Sequence, residues 1–487
     1  MIFKVNNPIF TLSLTLIISA HTYADYQLED ILFKVDPNTA ESELEPEQVD
    51  HQTEYITSES LNQNLVTTVD DVLKLTPGAT TARGPRSSSE APQVRGLDSN
   101  KIFVNIDGVK QNFQEGHSSM IPIDIDNLKQ VIVSKNNSDF SKTGSLSGGV
   151  EFTSKDPKDY LLPNKDIGAE FKIQHNSAAK EKSYSAKTAF KNPTYSGLLT
   201  ANSAQAEDIE LSDGSILNNS SYKDITLGTK LVFNNFKFSI NHYQRKDNNP
   251  LDPSLDPPDT IVDLHADSVL TRQTYNLAYK NKHGLTSQVY FNTYLSEKEN
   301  REDKVMQVRS IETTGLKLKK SYKYFSTGLQ AFKDVLDSES EGSEITSYPK
   351  AESENYSAFI EGHFSTGKLT FNPGLKADQY LLNSPNPLMK KKSGSALLKK
   401  LDIHYRPTSK LTTKLSYSEG FNAPKVNNVF PSGEHSPAHG FIRANNFISN
   451  FNLNHEKSKL QEIDFKYKTS LLSNEDQLSL GFSYYEN

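Results

Sequence analysis

The sequence predicts a mainly β protein in which a small mixed α/β domain precedes a transmembrane antiparallel β-barrel. Three observations point there. The chain opens on a secretory leader, no later segment is apolar enough for a helical span, and from about residue 160 short segments alternate apolar with polar residues.

Lys4 gives the leader its positive charge, Ile9 to Ala20 is apolar apart from Thr and Ser, and Thr22-Tyr23-Ala24 offers small residues at a cleavage point before Asp25. Residues 1–24 are therefore expected to be a signal peptide. The run is too short to span a bilayer comfortably, and no run of some 18 apolar residues follows it. Mean hydropathy is −0.61. That value suits a periplasmic or secreted β-protein, and equally a membrane barrel whose lumen-facing and lipid-facing residues cancel in any average. With 487 residues the chain is long for one core, so two domains are expected. The 53 basic and 60 acidic residues leave a slight negative excess, which argues against a nucleic-acid partner. Without cysteine there is no disulfide framework, zinc knuckle or thiol nucleophile.

Residues 46–160 carry short apolar runs punctuated by Gly and Pro. Val69, Val72 and Leu73 fall at helical spacing and Pro77 follows, which predicts a short helix over Val69–Leu75. Lys101 to Ile106 reads as a strand that Asp107-Gly108 turns into the next. Over 161–487 the period changes to two. Phe236, Phe238 and Ile240 share one strand face and Lys237 and Ser239 the other; Tyr356 to Phe364, Leu401 to Tyr405, Leu411 to Tyr417, Ile463 to Tyr467 and Leu478 to Tyr484 repeat the pattern. Arg245 to Asp263 and Asp337 to Glu354 read as long polar loops. A soluble sandwich or solenoid also alternates, but no fixed repeat is visible, and the Asp/Glu/Ser-rich loops suit a barrel rim better than a sandwich.

The N-terminal domain carries four ordered motifs: Thr68-Val69-Asp70-Asp71-Val72-Leu73 through Pro77-Gly78, Val94-Arg95-Gly96-Leu97, Val104-Asn105-Ile106-Asp107-Gly108-Val109, and Gly144-Ser145-Leu146-Ser147-Gly148-Gly149-Val150-Glu151-Phe152. In this order and spacing they resemble the plug domain of TonB-dependent outer-membrane receptors. The resemblance implies a plug held inside a 22-stranded barrel. It also implies a TonB box within the segment 25–45, and Gln27 followed by Leu28, Glu29, Asp30, Ile31, Leu32, Phe33, Lys34 and Val35 is similar in position and character. Such a segment would act by strand addition to TonB, the partner energised from the inner membrane.

Within the barrel, Gly420 then Phe421, Asn422, Ala423 and Pro424 resemble the Phe-Arg-Ala-Pro box of haem-uptake receptors, with Asn422 where Arg is usual. Asn450, Phe451, Asn452 and Leu453 resemble their Asn-Pro-Asn-Leu box, with Phe451 replacing Pro. Versions of both boxes occur in other TonB-dependent receptors, so they mark the superfamily better than the cargo. The haem-receptor resemblance further implies one histidine ligand from the plug and one from the loop between the boxes. His117 is the plug candidate, and His435 and His439 are the loop candidates. Neutral imidazole is a good axial ligand for haem iron.

No nucleophile motif, phosphate-cradling Gly loop or metal-ligand cluster is present in the sequence, so no enzyme and no resident metal or catalytic cofactor is expected. Glu90 and Asp107 read as structural. The expected function is TonB-dependent transport of haem or haem-protein iron from the outer membrane, where lipid surrounds the barrel, into the periplasm. A ferric-siderophore receptor and a transport-incompetent receptor fragment are the alternatives. At about 24 residues per strand and connection, 161–487 provide about 14 strands. The chain also ends Tyr484-Tyr485-Glu486-Asn487, without a terminal aromatic residue. A C-terminally truncated or split receptor is therefore expected.

Overall fold

The computed structural model describes residues 52–486 except 83, 85, 113–119, 251–264, 301–305, 342–349, 432–433, 436–444 and 470–477. The leader and the TonB-box segment lie outside the described residues.

Local chemistry starts the first domain. Strand β1 (Thr53–Thr57) runs into helix α1 (Ser58–Gln63), where the Thr57 side chain accepts the Ser60 N–H. Helix α2 (Val69–Lys74) opens on a reciprocal capping box: the Thr68 hydroxyl accepts the Asp71 N–H, and the Asp71 carboxylate accepts the Thr68 N–H. Short strands β2 (Ala79–Ala82), β3 (Ala91–Val94) and β4 (Leu97–Asp98) form one small sheet. Strands β5 (Phe103–Ile106), β6 (Val109–Lys110), β7 (Leu128–Ser134) and β8 (Gly149–Ser154) join β1 in a second sheet, of order β1-β7-β8-β5-β6. Strand β5 starts two residues later than expected. Asp107 and Gly108 both have positive φ, 50° and 75°, as a two-residue hairpin turn between β5 and β6 requires. Asp107 also accepts the Ser154 N–H at 2.9 Å, which ties the turn to β8. Val72, Leu73, Val94, Val131, Val133, Val150 and Phe152 are fully buried between the helices and the sheet. Gly148 has a φ of 68°, and a Cβ there would run into the Ser134 carbonyl, so the motif glycine is required by backbone contact.

The second part is a 16-stranded antiparallel sheet in which 15 strands follow chain order from Ile167–Asn176 to Leu478–Glu486, each hydrogen-bonded to the next, and the sixteenth pairs with Leu369–Asn383 alone. One of the 16 is the three-residue segment Phe364–Thr366. About 14 strands were expected from length; the turns at 234–235, 281–284 and 322–324 are short enough to leave room for the difference. Two expected loops are in part strand. The strand Phe236–Pro250 continues five residues beyond the expected loop start at Arg245, and Phe325–Glu341 carries Asp337. Arg245 and Asp247 are polar because they are buried toward the lumen, whereas Asp337 lies on the opposite side of its strand from buried Asp334 and Leu336 and ion-pairs with Lys350 at 2.5 Å; in both, a charged strand has the composition of a loop.

The alternation is inverted relative to a soluble protein. Phe236, Phe238, Leu375, Leu397 and Phe482 are exposed, Leu397 at 61% and Phe482 at 62%, while Lys187, Arg272, Lys376, Asp378, Lys400 and Lys414 point inward and are buried. Lipid-facing apolar residues and a polar lumen are what a membrane barrel demands.

The first domain fills this lumen through polar contacts. Arg95 ion-pairs with Glu462 of the wall, donates to Gln52 Oε1 at 2.6 Å and to the Lys135 carbonyl at 3.0 Å, and lies 3.9 Å from the Tyr485 ring centroid. Gln52 in turn donates to Asp464. Wall lysines reach backbone carbonyls of the inner domain: Lys230 to Ser154 at 3.0 Å, Lys376 to Lys142 at 2.7 Å and Lys317 to Gly108 at 2.5 Å. Gln288 donates to the Asp107 carbonyl at 2.8 Å.

Two outcomes follow from this arrangement. Glu462→Ala leaves the buried Arg95 guanidinium without its carboxylate and should destabilise the docked inner domain by about 3–5 kcal/mol in a denaturant titration. Unchanged stability would mean the pair is dispensable. Leu397→Arg on the lipid face should cost about 2–4 kcal/mol in folding into lipid vesicles, whereas an arginine in place of exposed Lys368 in a turn should cost little.

Candidate functional site

Pro250, His265, Ala351, Asn422 and Glu456 are strand termini at one end of the wall, opposite the short turns. Both sequence boxes meet at this end. The strand Leu411–Asn422 finishes on Phe421 and Asn422, both buried. The Phe421 N–H donates to the Ser145 carbonyl at 3.0 Å, forming a single antiparallel bridge between the wall and the glycine-rich motif of the inner domain. The Asn422 amide donates to the Asn100 carbonyl and to Glu456 Oε2, both at 3.0 Å. Where the resemblance places an arginine, this chain thus uses a neutral tether to the inner domain. Pro424 ends the extended run, and Lys425 precedes the one-turn helix α3 (Val426–Val429).

The second box folds back on that turn. The Asn450 N–H donates to the Val429 carbonyl at 3.0 Å, and the Asn450 side chain accepts the Asn452 N–H at 3.1 Å. Phe451 packs on Phe430 with centroids 6.1 Å apart, and Leu453 lies against the same core. The two boxes brace each other, and the chain leaving them presents His455. Its ring stands 5.0 Å from Phe421 and 6.2 Å, edge-on, from Tyr380. Tyr380 and Phe421 are themselves 6.0 Å apart. Burial against these rings, with Lys457 and Lys392 nearby, holds the His455 pKa below its ordinary value, so the imidazole is neutral at neutral pH.

Beside Phe421 a cavity between the inner domain and the wall is lined by Lys110, Asn112, Thr143, Asp378, Asn422 and Lys425, among others. The Lys110 ammonium lies 3.8 Å from the Phe332 ring centroid, a cation–π contact. Burial first, then the charges of Lys425 and Lys317, push its pKa down to about 7. Lys425 is lowered as well, chiefly by burial. A second crevice, between residues 120–126 and the wall, has the opposite character, with Glu90, Asp124 and Asp126 among its lining. Burial raises Glu90 to about 7 and Asp124 to about 6.

Of the histidines singled out from sequence, His117 and His439 lie outside the described residues, as does the segment Leu28–Val35. His435 is in a two-residue strand, with its backbone opposite Asn445. The family boxes are brought together, Phe421 with the inner domain and Asn450 with α3. His455, Lys110 and Lys425 were missed. His455 stands two residues past the second box and looks like a solvated loop histidine; its one signal was adjacency to a box already recognised.

Comparison with known proteins fits this architecture. A family model described as "TonB dependent receptor-like, beta-barrel" matches residues 135–487, and one described as "TonB-dependent Receptor Plug Domain" matches 45–150. The chain belongs to the TonB-dependent receptor family. Its inner domain is the plug, and the family consists of transport receptors of the outer membrane. The receptor is 23% identical to Heme/hemopexin utilization protein C of Haemophilus influenzae (strain 86-028NP), over 91% of this chain and 71% of that one. It is 23% identical to a Hemin receptor of Yersinia pestis, over 86% of this chain and 65% of the other. In fold it is similar to the Serratia marcescens hemophore receptor HasR, solved as a double mutant in complex with its hemophore HasA and heme. The TM-score is 0.75 at 17% identity, covering 89% of this receptor and 72% of that chain.

The lowered His455 pKa sets a pH signature. The folded state resists protonation below the free-histidine value of about 6.5, so this group's contribution is full above that pH. It declines as pH falls toward the folded midpoint and is constant below it. An NMR titration of labelled imidazole should place the His455 midpoint below the free-histidine value of about 6.5; a midpoint at or above that value would contradict the burial argument.

Proposed function

We propose that this receptor imports haem, or iron carried by a haem-protein, into the periplasm. The observation that carries the reading is His455, a neutral imidazole held in an aromatic cluster where the two boxes and the plug converge. Neutral imidazole ligates haem iron, and flat aromatic rings offer faces and edges against which a porphyrin packs. The names of the Haemophilus and Yersinia relatives, and the heme in the HasR complex, support the same cargo. His117 from the plug and His435 or His439 from the loop remain candidates for a second axial position.

In this reading cargo enters at the long-loop end and contacts the plug through the box region. TonB pairs with Leu28–Val35 as an added strand and draws on the inner-membrane energy supply. The cargo itself is unchanged by passage. The accompanying division of the chain is 1–24 signal peptide, 25–45 coupling segment, 46–160 plug and 161–487 barrel, exported and inserted in the outer membrane.

Haemin titration of the refolded receptor, followed in the Soret band, tests this directly. A saturable shift is expected, with His455→Ala and His117→Ala each weakening binding by about tenfold or more, the equivalent of about 1.4 kcal/mol. No shift in a demonstrably folded receptor would overturn the haem assignment and leave a ferric siderophore as the leading cargo.

A further inference from the structure

We infer that Lys110 and Lys425 form a receptor for the carboxylate groups of an acidic cargo, beside the Phe421–His455–Tyr380 cluster. The inference deepens the haem reading and rests on it, because haem carries two propionate carboxylates on one edge of its porphyrin ring.

Both ammonium groups line one cavity, Lys110 from the plug and Lys425 from the end of the first box. Among the described residues neither has a hydrogen-bonded or ion-paired partner, and the one recorded contact of the Lys110 ammonium is the Phe332 ring. The carboxylates lining the same cavity are engaged elsewhere. Asp378 stands 3.5 Å from Lys376, and Asp334 accepts the Thr313 hydroxyl at 2.8 Å, so the attraction of Asp334 for the two lysines acts without a direct hydrogen bond and an entering carboxylate competes with it. Both ammonium groups are buried, and burial is the main reason that their pKa values are lowered, with Lys425 adding to the effect at Lys110. A buried ammonium without a hydrogen-bond acceptor has a desolvation cost that an entering carboxylate removes. The Asn112 amide donates to the Thr313 hydroxyl at 3.3 Å, and its second N–H can complete the coordination of a carboxylate oxygen. The acidic crevice at Glu90 and Asp124 offers no such reception, so the wall–plug seam distinguishes one approach for an acidic ligand from another. Since one lysine belongs to the plug and the other to the barrel, a dicarboxylate touching both bridges the two bodies.

The test uses the full receptor in detergent micelles and four probes: haemin, haemin dimethyl ester, metal-free protoporphyrin IX and its dimethyl ester. Wild type is compared with the pair Lys110→Met and Lys425→Met and with the pair Lys110→Arg and Lys425→Arg. Wild type should bind each free acid at least tenfold more tightly than its ester. The Met pair should abolish that preference while leaving ester affinity unchanged, and the Arg pair should retain it. Equal binding of acids and esters by wild type, or an equal loss of both in the Met pair, overturns the inference. Iron ligation is scored separately by the Soret shift. Acid preference for protoporphyrin without a haemin ligation signature supports the lysine receptor and counts against histidine ligation; ligation without acid preference does the reverse. Failure of all four probes to bind overturns both.

Discussion

The polar lumen is the constraint from which the rest follows. A wall that shows Leu375, Leu397 and Phe482 to lipid must turn its alternate residues inward, and there they are lysine, arginine, aspartate and serine. A domain that fills such a lumen cannot be held by an apolar interface. The plug is held instead by side-chain amines and amides of the wall that donate to its backbone carbonyls, at Gly108, Lys142 and Ser154, and by the Arg95–Glu462 pair. Each such bond contributes only about 0.5–1.5 kcal/mol net. The plug is thus seated by many modest, separable contacts and not by one continuous hydrophobic seam.

The plug's own core is small, and its motifs are placed where backbone approaches wall. The turn at Asp107-Gly108 meets Gln288 and Lys317, and the Gly144–Gly149 stretch meets Phe421 and Ser458. The same contacts that seat the plug therefore build the box region, and the aromatic cluster exists because plug, first box and second box are all in place. Box residues are largely buttresses, Phe421 and Asn422 against the plug and Asn450 against Val429, and His455 and the two lysines are their neighbours.

Most of the fold was legible from sequence. Period-two alternation located the wall strands, and the ordered motifs located the plug, because each reflects a local requirement: one face to lipid, a positive φ at Gly148, a capped helix at Thr68. Strand ends were misread at Arg245 and Asp337, since a charged strand end has the composition of a loop whether its charges face the lumen, as at Arg245, or the other side, as at Asp337. The site was less legible. Phe421 and Asn450 were found as motif members, but that His455 meets Tyr380, 75 residues earlier in the chain, is a matter of tertiary register that no local pattern records. Lys110 and Lys425 are ordinary surface residues by sequence, and only the cavity makes them unusual.

The position of Gln52 has a mechanical consequence. It is the first described residue, it precedes β1, and it is clamped between Arg95 and Asp464 at the plug–wall seam. Strand β1 is the edge of its sheet, paired only with β7. Tension entering from the N-terminal side is thus borne first by this clamp, and then by the five residue pairs of β1 opening in succession as a zipper opens. Loading in series keeps the peak force low, since each pair yields before the next is fully strained. The central strands β8 and β5 would have to be sheared together. The plug is in this sense built with a compliant end and a stiff middle, so that a modest pull opens its first strand before it loads its core.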